Sequence, residues 1–304
     1  MNKQGPVIKV EGLTVRYGEN TILDNVSFEI HQGEIFIIAG GSGCGKTTLL
    51  KHIIGLDTPS SGKIFINGVD TTDIDEDEMR KLRRKIGMLF QSGALFGSMT
   101  IGENVALSLT EFTDLSEKAM GLIVKMKLGM VELSGYENHF PSELSGGMKK
   151  RAGIARAMSL EPAVLFFDEP SAGLDPITSA EIDLLIKKIN EGIGTTMVIV
   201  THDLETIFNI AHRIIMLDKG TKGIIAEGDP RELKEHSDNQ KVRNFFNRHI
   251  EEKKHGGQYY AKEKNLFYCG TFCSYRYRKR RCPYSMARRI TVFAERKDLR
   301  YLFR

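Results

Sequence analysis

One eight-residue run constrains this chain more than anything else in it: Gly40-Gly41-Ser42-Gly43-Cys44-Gly45-Lys46-Thr47, a match to GxxxxGK[ST]. An unbroken apolar stretch, Ile35 to Ala39, precedes it, and Leu49, Leu50, Ile53 and Ile54 mark one face of a helix after it. A buried strand, a glycine loop and a helix start in that order form a phosphate cradle. The glycines let successive backbone N–H groups point inward without Cβ clashes, and the helix N-terminus adds partial positive charge. On this reading Gly40 to Gly45 wrap the phosphates, Lys46 reaches the β and γ phosphates, and Thr47 ligates Mg²⁺ with Thr48 beside it. Cys44, close to the start of that helix, is expected to favour a thiolate and to be reactive toward a maleimide when the site is empty and shielded when nucleotide fills it.

The rest of the first 250 residues alternates strands and helices, the pattern of a sheet covered by helices. Val164 to Phe167 and Met197 to Val200 are as apolar as Ile35 to Ala39, as expected of parallel strands buried on both faces. Val26, Phe28 and Ile30 alternate with polar residues, and Ile64-Phe65-Ile66 runs into Asn67-Gly68, so antiparallel hairpins are expected near the start. Ile182, Leu185, Ile186 and Ile189 form one buried helical stripe, with Asp175 as its N-cap and Pro176 pre-setting the first turn. Residues 95 to 145 are less regular and mostly helix-compatible, which predicts an inserted helical subdomain.

Two further clusters carry chemistry. Asp168-Glu169 ends the apolar run Val164 to Phe167, and paired carboxylates there call for a cation or donors. Asp168 then helps hold Mg²⁺, while Glu169 orients or deprotonates the attacking water. Leu144-Ser145-Gly146-Gly147-Met148 opens a helix with Lys149, Lys150 and Arg151 placed in its first turn. Cations there oppose the helix dipole, so an anion is expected at that end.

In this order the motifs resemble the nucleotide-binding subunit of ABC transporters over residues 7 to 250. The resemblance implies an α/β P-loop NTPase of ABC type: a mixed sheet core with an antiparallel β subdomain and an inserted helical subdomain. It implies that Tyr17 stacks on adenine, that Gln91 senses Mg²⁺ and water, and that Leu144 to Met148, with Ser145, Gly146 and Gly147, is the signature motif. It further assigns Gly173-Leu174-Asp175 to the dimer-contact loop and His202 to the γ-phosphate switch. ATP and Mg²⁺ are the implied cofactors. The implied partners are a second copy in an ATP-sandwich dimer and an integral membrane permease whose coupling helix meets Gln91 and residues 93 to 105; no nucleic acid is expected for the body. Met148 stands where the family usually has Gln, and a thioether cannot replace an amide donor. Ser-Gly-Gly-Met-Lys-Lys-Arg and Phe90 to Phe96 resemble the Mla-type branch, which powers phospholipid transport with MCE-domain proteins. That places the chain on the cytoplasmic face of the inner membrane. The alternatives are the ATPase of another ABC importer or exporter, or a soluble ABC-type ATPase acting on ribosomes or DNA; a GTPase or kinase lacks Leu144 to Met148.

Composition supports a break near Glu252. No run approaches the roughly 18 apolar residues of a spanning helix, and Met1 to Pro6 has no signal-like apolar region behind its lysine. Cys44 is the one cysteine before residue 253, which fits a reducing compartment. Residues 253 to 304 hold 15 Lys plus Arg against 3 Asp plus Glu, a net of +12 in a chain of +4, leaving −8 for the first 252. Seven of nine tyrosines and Cys269, Cys273 and Cys282 lie in that segment without apolar periodicity. It reads as a compositionally foreign tail: a segment in an altered reading frame, or else a flexible basic tail that binds anionic lipid or nucleic acid, or a partner-docking extension.

Overall fold

The computed structural model describes residues 5–247. The segment 253–304, with the expectations for it, lies outside them. Strands β1 (Ile8–Tyr17), β2 (Asn20–Ile30) and β3 (Ile35–Gly40) lead into helix α1 (Lys46–Ile53), which leaves the glycine loop. Strands β4 (Ser61–Ile66) and β5 (Val69–Asp70) pair about Asn67 and Gly68, which have φ of +51° and +79°. Positive φ at both residues is what a tight hairpin of native twist needs. Helix α2 (Glu76–Arg83) and strand β6 (Ile86–Leu89) precede three helices, α3 (Ile101–Phe112), α4 (Glu117–Met130) and α5 (Gly146–Ala157). The chain then alternates through β7 (Val164–Asp168), α6 (Pro176–Ile193), β8 (Thr196–Val200), α7 (Leu204–Ile210) and β9 (Arg213–Asp218). Strand β10 (Gly223–Gly228) and helices α8 (Pro230–His236) and α9 (Gln240–Asn247) follow.

Two sheets result. The smaller has order β2-β1-β4-β5 and is antiparallel; the larger has order β10-β9-β3-β8-β7-β6 and is parallel except for β10. The three most apolar runs, β3, β8 and β7, are neighbours at the centre of the larger sheet, so both of their faces are buried. Their residues divide with period two. Ile35, Ile37, Leu165, Phe167, Met197 and Ile199 join the core beneath the helices, whereas Phe36, Ile38, Val164, Phe166, Val198 and Val200 join the core shared with the smaller sheet, α1 and α2. The stripe on α6 (Ile182, Leu185, Ile186 and Ile189) lies at 4% exposure or less, and Asp175 caps that helix by accepting from the Ile177 and Thr178 amides. Among the described residues no helix is long and apolar enough to cross a membrane.

Candidate functional site

Parallel strands bring their carboxyl ends to one edge, and loops leaving that edge converge. Strand β3 runs into the glycine loop, β7 ends at Asp168, β8 stops before Thr201-His202, and β6 stops before Gln91. The register aligns them: Asp168 faces Val200, and Leu89 faces Phe167. A cavity of about 390 Å³ forms there, lined by Ser42, Gly43, Gly45, Lys46, Thr47, Thr48, Gln91, Asp168, Glu169 and His202. Residues 126 positions or more apart in the chain, such as Ser42 and Asp168, thus share one wall.

The loop needs its glycines at particular positions. Gly40 has φ of +143°, and a Cβ on it would lie 2.4 Å from the Leu217 carbonyl oxygen. Gly45, at φ of +99°, is the N-cap of α1 and has no side chain to occupy the first amides of that helix, which leaves those donors for an anion. The Lys46 ammonium is drawn over the loop, donating to the carbonyls of Gly40 (2.9 Å) and Gly41 (3.1 Å).

Opposite the loop, the Thr47 hydroxyl donates to Asp168 Oδ1 at 3.2 Å. Burial pushes the Asp168 carboxyl above its ordinary pKa, and the bond from Thr47 pulls it partly back. Glu169 has φ of +49°, a left-handed conformation that costs a non-glycine residue about 1 kcal/mol or more. That turn aims its carboxylate across to β8, where His202 Nδ1 sits 2.7 Å from Oε1 and the Thr201 hydroxyl donates to Oε2 at 3.3 Å. With its N–H as the donor, the imidazole turns Nδ1 toward the carboxylate, and the His202 side chain stays largely exposed. An acid held between two strand ends, next to a phosphate cradle, can orient and accept a proton from water.

Other predicted positions are distributed differently. Tyr17 ends β1, 52% exposed, with its hydroxyl donating to Asp57, and does not line the cavity. Ser145 caps α5 by accepting from the Met148 amide, and Gly146 and Gly147 form the first turn; none of the three lines the cavity either. Met148 packs against the helical core, so the thioether serves as an apolar contact. Asp175 is exposed at the start of α6, where the Thr178 hydroxyl, 2.6 Å away, holds its pKa below the ordinary carboxylate value.

Two expectations are corrected. Cys44 is 2% exposed and packs in the core shared by the two sheets; burial raises its pKa more than Lys46 lowers it, so a reactive thiolate does not form there. Proximity to a helix N-terminus cannot offset removal from water when the Sγ points into the core. Likewise, of Lys149 to Arg151 only Lys149 falls in the first turn of α5; Lys150 and Arg151 open the second. Arg151 pairs with Glu132 and Glu181, and the Lys150 ammonium donates to main-chain carbonyls, so these two cations are held within the chain. Three supporting residues had no legible signal of their own: Thr201, Lys150 and Asn104. The fully buried Asn104 amide bonds to Phe96, Met99 and Thr100 and gathers the segment that follows Gln91.

Comparison with known proteins shows the family. The ABC transporter family pattern matches residues 23–172. The intermembrane phospholipid transport system ATP-binding protein MlaF of Haemophilus influenzae is 42% identical over 233 residues, 76% of this chain and 87% of that protein. This chain belongs to the ABC transporter ATP-binding family. The probable ribonucleotide transport ATP-binding protein mkl of Mycobacterium leprae is 42% identical over 243 residues, covering 80% of this chain and 69% of the relative. Among solved structures, the dimeric post-hydrolysis state of the ATP-binding cassette MJ0796 bound to ADP and Pi is 38% identical with a TM-score of 0.66, covering 73% of this chain and 98% of that one. The protein is therefore an ABC-type ATPase, the nucleotide-binding subunit of a membrane transporter, with the α/β cassette fold and its antiparallel and helical subdomains.

Proposed function

We propose that this ATPase binds Mg-ATP in the glycine-loop cavity with Glu169 as the base, works as a dimer beneath a membrane permease, and powers phospholipid transport with an MCE-domain partner. The observation that carries the catalytic part is the Glu169 carboxylate, held between His202 and Thr201 on the wall facing Lys46 and Thr47. Lys46 pairs with the β and γ phosphates, the amides of the glycine loop and α1 bind phosphate oxygens, and Glu169 orients water and takes its proton. His202 steadies the γ-phosphate, and Gln91 reports on its presence.

The donor set suits Mg²⁺. A hard cation that keeps several waters and takes phosphate oxygens needs few protein ligands, and the Thr47 hydroxyl and Asp168 carboxylate supply two oxygens 3.2 Å apart. When bound, the ion neutralises charge on the β and γ phosphates; Thr47, Gln91 and Asp168 would hold it.

Two features support a second copy as the completing partner. Ser145, Gly146 and Gly147 lie away from the glycine-loop cavity of their own chain. A neighbouring cavity of about 510 Å³ joins Glu169 and His202 to Gly173 and Leu174. The partner's α5 N-terminus would then cap the γ-phosphate, with Asp175 in the contact loop and Tyr17 stacking on adenine. The likeness to MlaF supports the phospholipid assignment, the MCE-domain partner is inferred from Ser145 to Arg151 and Phe90 to Phe96, and a peripheral position on the cytoplasmic face of the inner membrane follows from docking to a permease through Gln91 and residues 93 to 105. A tail beyond Glu252 takes no part in it.

The test is Glu169→Gln. Its turnover is expected to fall at least about 100-fold while binding of a fluorescent ATP analogue is retained. Lys46→Ala is expected to weaken that binding about tenfold or more, through loss of a charge-assisted contact. Near-normal hydrolysis by Glu169→Gln would contradict the assignment.

A further inference from the structure

Helix α5 enters the reading above only through its N-terminus, yet its middle ties the site together. Lys150, 6% exposed, donates from its ammonium to the main-chain carbonyls of Gln91 and of Glu169, the latter at 3.2 Å. One nitrogen thereby joins α5 to the segment leaving β6 and to the segment leaving β7. Six residues on, Arg156 from the same helix donates to the carbonyls of Gly93 (3.1 Å) and Ala94 (2.6 Å), extending the hold on the segment after Gln91. Burying an ammonium is costly unless acceptors and opposite charge surround it, and here two carbonyls and the nearby Asp168 and Glu169 carboxylates do so. The bond falls where the backbone most needs one. Glu169 keeps its left-handed φ while its own N–H donates to the Val200 carbonyl at 2.9 Å and its own carbonyl accepts from Lys150. Both peptide groups of the residue are clamped, and a clamped main chain fixes where its carboxylate points.

We propose that Lys150 is a positioning residue for ATP hydrolysis: from α5 it fixes the main chain at Gln91 and Glu169, and so sets the Glu169 carboxylate in line for the attacking water. The proposal rests on Glu169 being the base, as read above. Because Lys150 touches no nucleotide-binding group on the glycine loop, its loss acts on the chemical step and leaves binding in place.

The experiment measures steady-state ATP hydrolysis and binding of a fluorescent ATP analogue for the full chain and for Lys150→Met, Lys150→Arg and Glu169→Gln. Lys150→Met is expected to lower kcat about tenfold or more with KM and analogue affinity within about twofold of the parent. Lys150→Arg, whose guanidinium also donates to two carbonyls, is expected to stay within about threefold of the parent kcat. A kcat for Lys150→Met within twofold of the parent overturns the proposal, as does a loss of affinity equal to the loss of kcat, or an Arg variant no better than Met. If the Met variant does not fold, the folded Arg variant decides: kcat within about threefold at unchanged KM supports the role, and a fall of about tenfold or more overturns it. Glu169→Gln separates the two levels. If it is inactive while Lys150→Met is normal, only the role of Lys150 fails; if it is fully active, the reading of the base fails and this proposal with it.

Discussion

Cys44 shows how far a motif can be read at the level of one residue. Its place in the glycine run locates its backbone, because the spacing of glycines around Lys46 and Thr47 leaves little choice of loop. Its side chain is decided by something the motif does not state, namely that Sγ packs where the two sheets and α1 meet. Labelling of Cys44 in the folded chain, followed by mass spectrometry so that Cys269, Cys273 and Cys282 are counted apart, is therefore expected to run at least about tenfold slower than in denaturant, with or without Mg-ATP. Fast labelling that Mg-ATP prevents would restore the exposed thiolate. Glu169 and Asp168 were legible because two carboxylates at the end of a buried strand are costly without a cation or donors. Thr201 and Lys150 were not, since a threonine beside a histidine and a lysine in a basic run look the same whether they face solvent, a carboxylate or a main-chain carbonyl.

Among the elements, apolar runs and helical stripes translated directly into buried strands and faces, because burial on both sides or on one side leaves its own period in the sequence. The basic run of α5 was harder to read for a physical reason: a lysine stem spans several ångströms, so the Lys150 ammonium finds its acceptors far from its position on the helix axis. Asp183 carries a prediction at this scale. It is 2% exposed on the α6 face, accepts from the Thr206 hydroxyl on α7 at 3.1 Å, and burial pushes its pKa up to about 6, with Asp203 and Glu205 adding to the rise. The folded state then holds this proton more tightly than the unfolded chain, whose value is near 3.8. Ionisation costs stability as pH rises from about 4 to above 6, and the cost is absent below that window. Asp183→Asn keeps an acceptor for Thr206 and cannot ionise, so its stability relative to the parent is expected to improve between pH 5 and pH 8, by about 1 to 2 kcal/mol. Denaturant melts at the two pH values check this; a difference that does not change with pH would mean that Asp183 titrates normally.

At the scale of the whole molecule, every residue assigned to the site lies before Glu252, although residues 253 to 304 supply a net charge of +12. A chain ending at Glu252 is expected to keep ATP hydrolysis within about twofold and to copurify with its permease; loss of copurification would make the tail a docking element. The central claim is that one copy holds an incomplete site, with its phosphate cradle and base on one surface and Ser145 at the start of α5 on another. Light scattering on Glu169→Gln with and without Mg-ATP tests it most directly. The account predicts a monomer that shifts to twice its mass when Mg-ATP is added and stays there because the nucleotide is not hydrolysed, with the shift abolished by adding Ser145→Arg. A monomeric mass in saturating Mg-ATP, with the nucleotide bound, would contradict it.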